Sequence, residues 1–444
     1  MQKELFQPRQ YLNPKWYIFK DLELGSVYDC LPWDQLSECL PNEFNNGVGA
    51  PRWFSNRGMI AMMFLKSYLK LSDEKLVERF NTDWSLQMFC GKVLRDGERI
   101  RDKAIVSRIR TYIGKHADLF AMQRVLLDHW KRDMSNTHVL LMDATCYESY
   151  IRFPTDVKIL WESCHWVFEK QIFGLCRTLG VKRPRSKYLE QKRRQGAYER
   201  KRRKTYKEGH KRKRSLLYLL EKGLGQLQEL LNQNPQIRLT SREYAYLRTI
   251  RKVWEQQSVL FLYPGAKIDN RIVSLHKPYV RPIVRGKENK RVEFGMKAHM
   301  LQVDGITLFE NMSFDAFNES TRLKISVLKH KSYFGACHQL GADRIYATNN
   351  NRKYLTAKDI FTCFPAKGPK VADKQRDIMR MLLGKARSTV LEGSFGHHKT
   401  FYGLHKIKAL SEKNEKVWAF FGVMTANAVL MGRRDREKPL QQAA

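Results

Sequence analysis

Three acids stand where they could do chemistry: Asp143 closes the apolar run Val139-Leu-Leu-Met, Asp343 directly precedes Arg344-Ile-Tyr, and Glu392 opens Glu-Gly-Ser-Phe-Gly-His-His-Lys. Carboxylate oxygens are the hard ligands that hold Mg²⁺. Two such ions about 3.5–4 Å apart neutralise phosphate charge and make a hydroxyl nucleophilic at neutral pH. The chain around them is basic, with 81 Lys and Arg against 45 Asp and Glu, a formal +36. So large an excess usually serves to neutralise a polyanion, which makes nucleic acid the first partner to consider. Acids inside such a chain point to metal-assisted attack on a phosphodiester. Their separations of 200 and 49 residues mean that only a fold can bring them together.

Glu392, Phe395, Lys399 and Tyr402 fall at i, i+3, i+7 and i+10, one face of a helix. An acid for metal and a lysine two turns later for phosphate would share that surface. Gly393 and Gly396 each disfavour a helix by about 1 kcal/mol relative to Ala, which suggests close packing or binding at the backbone. His397 and His398 read either as substrate contacts or as solvent-facing residues. Asp304 and Asp315 lie in the same region as Asp343 and compete with it, whereas Asp156 reads as a first-turn helix acid. Lys297 and His299 alternate on one face of a candidate hairpin, so both point to the site or both to solvent. Arg281, Arg285 and Lys287 are either phosphate contacts or solvated loop charges.

The elements that must position these groups follow from patterning. Residues 1–54 show little periodicity and read as an irregular segment. Residues 55–133 read as an all-helical module, with short helices up to Gly91 and a longer amphipathic one from Ile105 to Trp130. Val139–Asp143 has the continuous apolar text of a buried strand with a site at its C-terminal tip. Residues 157–260 read as a basic helical insertion. Within it, residues 181–215 hold 17 Lys and Arg against Glu190, Glu199 and Glu208, a net +14. That run is either a DNA contact or a solvated arm. The leucines of Leu216–Leu231 are either buried in the insertion or a dimer contact. Strand-like text resumes at Asn270–Leu275, Val292–Val303 and Ile306–Phe309, the last two joined by an Asp304-Gly305 turn. A helix spans Thr321–Tyr333, and a final one ends near Met431 before a polar tail, 432–444.

Several classes drop out. The eight cysteines form no CxxC pair or zinc grid and read as reduced core thiols of a cytoplasmic protein. The start lacks an apolar secretory h-region, and Val417–Met431 falls short of the ~20 residues a membrane span needs. No GxxxxGK[ST] or GxGxxG occurs.

Taken together, Asp143 in Leu-Met-Asp-Ala-Thr, Arg281-Pro-Ile-Val-Arg-Gly-Lys, Glu293-Phe-Gly-Met-Lys-Ala-His, Asp315-Ala-Phe-Asn-Glu-Ser, Ala342-Asp-Arg-Ile-Tyr with Asn351-Arg-Lys-Tyr, and Glu392-Gly-Ser-Phe-Gly-His-His-Lys resemble the DDE transposases of bacterial insertion sequences. The helical 55–133 stretch also looks like the N-terminal, DNA-end-binding domain of that group. The resemblance implies an α/β fold: an RNase H-like mixed sheet flanked by helices, formed by 134–156 and 261–431 and interrupted by the insertion. It implies that Asp143, Asp343 and Glu392 bind two Mg²⁺ ions, which Mn²⁺ can replace. It further implies cleavage at the ends of the element and joining of the freed 3′-OH to target DNA. The partners would be double-stranded DNA and a second copy on it, in a prokaryotic cytoplasm at the nucleoid, with no membrane. A regulator that has lost catalysis and a nuclease without strand transfer are the other readings. Glu392 and Lys399 meet the Glu-x6-Lys part of the family signature. The signature's Arg, four residues before the Glu, meets Ser388 here, with Arg387 one place off, and its Tyr meets Lys385.

Overall fold

The structure is a computed structural model that describes residues 15–41, 52–284, 292–367 and 373–442. The chain forms two compact units, Met1–Ser149 with Met296–Ala444, and Tyr150–Gly295.

The first unit is built on a mixed sheet. Its strands are β1 (Val139–Ser149), the later part of β3 (Val292–Val303), β4 (Ile306–Ser313), β5 (Gln339–Gly341), β6 (Phe361–Thr362) and β7 (Lys406–Ile407); β2 (Pro282–Val284) belongs to the other unit, where it pairs antiparallel with Val292–Phe294. The order is β4-β3-β1-β5-β6. β5 runs parallel to the start of β1, β6 parallel to β5, and β7 parallel to the far end of β1 at Glu148–Ser149. Central β1 is apolar because helices cover its faces: Leu140, Met142, Cys146 and Tyr147 are all buried. β3 and β4 make the expected hairpin, with Asp304 at φ 49° and Gly305 at φ 80°. Two consecutive left-handed residues match the twist of the flanking strands, and Asp-Gly tolerates both.

β4 is an edge strand whose outward backbone groups need partners. Two buried side-chain amides supply them. Gln123 accepts from Phe309 N (2.7 Å) and donates to Phe309 O (3.0 Å), and Asn427 does the same for Thr307 (3.0 and 2.8 Å). The edge is thereby closed to further strand pairing.

The helical residues before β1 are not a separate body; they pack directly on this sheet and on the closing helix Glu412–Gln442. Trp130 donates to Cys30 O (2.7 Å), and the rings of Phe64 and Phe421 meet edge to face at 5.2 Å. Residues 15–38 are also not irregular: they form helices Lys15–Asp21, Glu23–Asp29 and Trp33–Glu38. The long helix expected over 105–130 breaks at Asp118, whose carboxylate caps Phe120 and Ala121 and starts Leu119–Trp130. The expected strand at 270–275 is coil, and residues 432–442 of the expected tail continue the closing helix.

The second unit is helical. Asp156–His165 passes through a π-turn, Trp166–Ile172, into Phe173–Leu179; Tyr188–Arg200, Tyr206–Gln233 and Ser241–Leu262 complete it. The two longest helices open with capping boxes, Thr205 with Glu208 and Thr240 with Glu243. Leu216, Leu220 and Leu227 enter a core with Leu160, Phe168, Tyr188 and Ile250, so the leucine pattern is internal packing. The unit holds 35 Lys and Arg against 13 Asp and Glu, a net +22.

Its two central glycines differ. A Cβ on Gly223 would come within 2.6 Å of the Phe168 ring, whereas one on Gly225 meets nothing within 4 Å. Gly223→Ala is expected to destabilise by about 1–3 kcal/mol through overpacking. Gly225→Ala should stabilise by up to about 1 kcal/mol through helix propensity. Urea midpoints of the two variants check this, and equal shifts would contradict it.

Candidate active site

Asp143 sits in the middle of β1, not at its tip, on a strand that continues for six more residues. Asp343 follows β5 and caps the 3₁₀ turn Arg344–Tyr346 by accepting from Arg344 N (2.6 Å). Glu392 begins the helix Glu392–Phe401, which grows out of Lys374–Ala386 through a π-turn, Arg387–Leu391.

One guanidinium nitrogen joins two of these acids. Arg387 Nη1 donates to Asp143 Oδ2 and to Glu392 Oε1, each at 2.9 Å. Asp143 is largely covered, with 14% of its side chain exposed, and Glu392 is half exposed. Burial raises the Asp143 pKa; Ala144 N and Arg387 oppose it, and the charges of Glu319 and Asp343 add to it. Burial would lower the Arg387 pKa, but Asp143, Glu392 and Asp343 together push it up. Arg387 thus lies in the field of all three acids.

The π-turn explains the one-residue departure from the signature. At about 100° per residue, a position five before Glu392 in an α-helix points about 140° away from it. A π-turn closes its bond over five residues and returns that position to the same side. The extra residue brings Arg387 to Glu392.

A second layer lies behind the acids. Glu310, fully buried, takes Arg322 Nε at Oε2 (3.0 Å), and His299 Nδ1 lies 3.1 Å from that same oxygen. His299 Nε2 shares a hydrogen bond with the Tyr346 hydroxyl (2.9 Å). The Tyr346 hydroxyl is buried and feels Glu319, Asp143 and Asp343, so its pKa lies well above the ordinary value. Lys297 pairs with Glu319 (2.7 Å) and donates to Phe317 O (2.9 Å). Glu319 is therefore a fourth acid near the site. The motif Asp315-Ala-Phe-Asn-Glu-Ser contained it, but nothing in its spacing marked it.

These contacts correct part of the expected DNA-facing set. His299 is completely buried and supports Tyr346 from behind, so it cannot touch DNA here. Lys297 and His299 do share a side, because the pairing runs unbroken through both; the register shifts only after His299, where Glu310 is the extra residue on β4, and Glu310, Phe317 and Tyr346 cover the imidazole. Arg281 turns back onto its own chain, donating to Pro278 O and to Val280 O (3.2 Å). Arg285 and Lys287 lie outside the described residues. Lys399 stands in the last turn of the Glu392 helix, but its face is not the buried one. Phe395 and His398 fill that stripe, and apart from the helix's own adjacent backbone nothing among the described residues lies within 4 Å of a Cβ built on Gly393 or Gly396. Asp156 opens its helix as expected and is held by Lys213 and by Arg271 (2.6 Å). Within the second unit, a cleft of about 1130 Å³ is lined by Trp161, Tyr198, Tyr206, Lys158, Lys204 and Lys213.

His398 is a core histidine: it meets the Tyr147 hydroxyl at 3.1 Å, and burial pushes its pKa down to about 3. Burial likewise holds His330 at about 4. Unfolded histidine protonates near 6.5, so below that pH the unfolded chain takes up protons that the folded chain refuses. The stability is complete above pH 6.5 and is lost as pH falls toward the folded values, by about 1.4 kcal/mol per pH unit for each residue. Urea midpoints between pH 7.5 and 4.5 should drop in the wild type and drop less in His330→Gln/His398→Gln. An unchanged slope would contradict the assignment.

Three carboxylates are the right donor chemistry for a hard divalent cation. Arg387 stands between two of them, Asp143 and Glu392, and among the described residues no group of three or more His, Cys, Asp or Glu stands close enough to hold a metal ion. No helix among them is long and apolar enough to cross a membrane.

Residues 17–112 match the family model of a transposase domain (DUF772). That span ends before β1 and includes none of the three acids. No curated protein and no solved structure matches the chain. The match supports a transposase, a DNA-processing enzyme with DNA as its partner.

Proposed function

We propose that the chain is a DDE transposase that cuts the ends of its own insertion sequence and joins the freed 3′-OH to target DNA. The observation that carries this reading is the convergence of Asp143 and Glu392 on one cation, Arg387, with Asp343 within its field. The sheet order supports an RNase H-like domain: a hairpin on one side of β1, parallel strands on the other, and the acids on β1, after β5 and on a following helix.

Divalent cations at Asp143, Asp343 and Glu392, Mg²⁺ or Mn²⁺, would neutralise the scissile phosphate and activate the attacking water or 3′-OH. The protein's part is to hold the carboxylates: β1 fixes Asp143, the Arg344 amide orients Asp343, and the π-turn aims Glu392. Tyr346, held by His299, fills the space behind them. Arg387, 2.9 Å from Glu392, and Lys399, two turns along the same helix, would meet backbone phosphate, and the open Gly393/Gly396 surface would let a strand approach the helix. The +22 unit would grip flanking DNA, and joining two ends in one event calls for a dimer on DNA.

The Arg387 bridge also favours a second reading, a DNA-binding regulator whose acids are permanently neutralised. Incubation with Mg²⁺, end DNA taken from the flanks of the gene, and a target plasmid separates the readings. Joined products support the transposase. Cut but unjoined ends mean a nuclease, and specific binding without cutting means the regulator.

A further inference from the structure

Asp143 is a largely covered carboxylate, and a charge drawn that far from water needs a partner. Arg387 provides it through a single nitrogen shared with Glu392, 2.9 Å from each oxygen. The π-turn Arg387–Leu391 exists at the one place where its extra residue makes that sharing possible. Such turns are rare and concentrate at functional sites. Mg²⁺ bonds carboxylate oxygens at about 2.1 Å, and a guanidinium nitrogen cannot stay between oxygens drawn that close. A cation and Arg387 therefore exclude one another.

We propose that Arg387 is the resident counter-ion of the Asp143/Glu392 pair, and that a divalent metal binds these carboxylates only by displacing its guanidinium. This rests on the reading of Asp143, Asp343 and Glu392 as metal ligands. Asp143 is the covered end of the bridge and Glu392 the half-exposed one, so the guanidinium leaves past Glu392 toward solvent. There it is free to take a phosphate oxygen of the DNA strand. The exchange replaces one positive charge at the acids with two: arginine leaves as the divalent metal arrives and moves to the anion the metal serves. Without metal and DNA, the acids stay paired and the site stays closed. Arg387 is thus a positioning residue whose first partner is the protein itself.

The internal competitor reduces apparent metal affinity by the fraction of molecules in which the bridge is open. The test is Mn²⁺ binding, without DNA, to the full-length wild type, Arg387→Gln and Arg387→Lys, followed by calorimetry and by the Mn²⁺-induced rise in Tm. Arg387→Gln is expected to bind Mn²⁺ about tenfold more tightly and to show the larger Tm rise, although its metal-free Tm is lower. Arg387→Lys, which keeps the charge but lacks the fork, should fall between it and the wild type, and it carries the test alone if Arg387→Gln does not fold. Affinity equal to or weaker than wild type in either folded variant overturns the proposal. Asp143→Asn and Glu392→Gln serve as controls. If they bind Mn²⁺ like the wild type, the ligand assignment itself is wrong. If they lose Mn²⁺ while the Arg387 variants gain nothing, only the exchange is wrong.

Discussion

Asp143→Asn is expected to reduce Mg²⁺-dependent cleavage of end DNA by roughly 10³-fold, about 4 kcal/mol of transition-state stabilisation. Asparagine keeps the shape of the side chain and removes the charge that a metal needs. The same change should not unfold the protein. Burial raises the Asp143 pKa, which means that the folded state disfavours its charge even with Arg387 beside it. A neutral side chain relieves that penalty, and Arg387 keeps Glu392 as a partner. The expected pattern is a Tm equal to or above that of the wild type, DNA binding within a few-fold, and cleavage near background. Thermal melting, a gel-shift titration and a cleavage assay on one preparation test it. Loss of Tm in parallel with activity would mark Asp143 as a structural acid instead.

Glu310→Ala should have the largest effect on folding. Glu310 is fully buried and serves both Arg322 and His299. Removing it leaves a guanidinium and a fully buried imidazole without their acid, a change that costs about 3–5 kcal/mol when one partner of a buried pair is deleted. Burial alone would raise the Glu310 pKa, but His299 and Arg322 outweigh it and hold the carboxyl below its ordinary value. Its stabilisation is therefore present above about pH 4.5 and is lost as pH falls through the folded value. Urea denaturation at pH 7 should show a deficit of that size, and one below about 1 kcal/mol would contradict the role. Cleavage should fall as well, because Tyr346 loses the support of His299 behind Asp143 and Asp343.

The three acids were legible as candidates because an acid beside apolar text stands out in a chain of net +36, although Asp143 lies within its strand and Asp343 follows one. Their bridge was not. A π-turn has no residue signature, so Arg387 reads as misplaced until the backbone is seen to carry one extra residue. His299 misled for a different reason: alternation places it beside Lys297, but only the fold shows that Tyr346, Phe317 and Glu310 cover it there. The helices of 15–38 escaped notice because runs of six or seven residues are too short to show a 3.6-residue period. They are held instead by aromatic contacts, with Trp33 against Phe89 at 5.4 Å and Trp16 against Tyr28 at 5.4 Å. Glu319 needed the fold altogether, since only the pairing with Lys297 brings it toward Asp143.

Asp343 decides the central claim, because it joins the other two acids through electrostatics alone and through no shared hydrogen bond with Arg387 in the bridge. The measurement is Mg²⁺-dependent cleavage of end DNA by Asp343→Asn, beside Asp143→Asn and Glu392→Gln, with DNA binding intact. A metal-holding triad requires all three to fall to the same background. Cleavage by Asp343→Asn at the wild-type rate would contradict it.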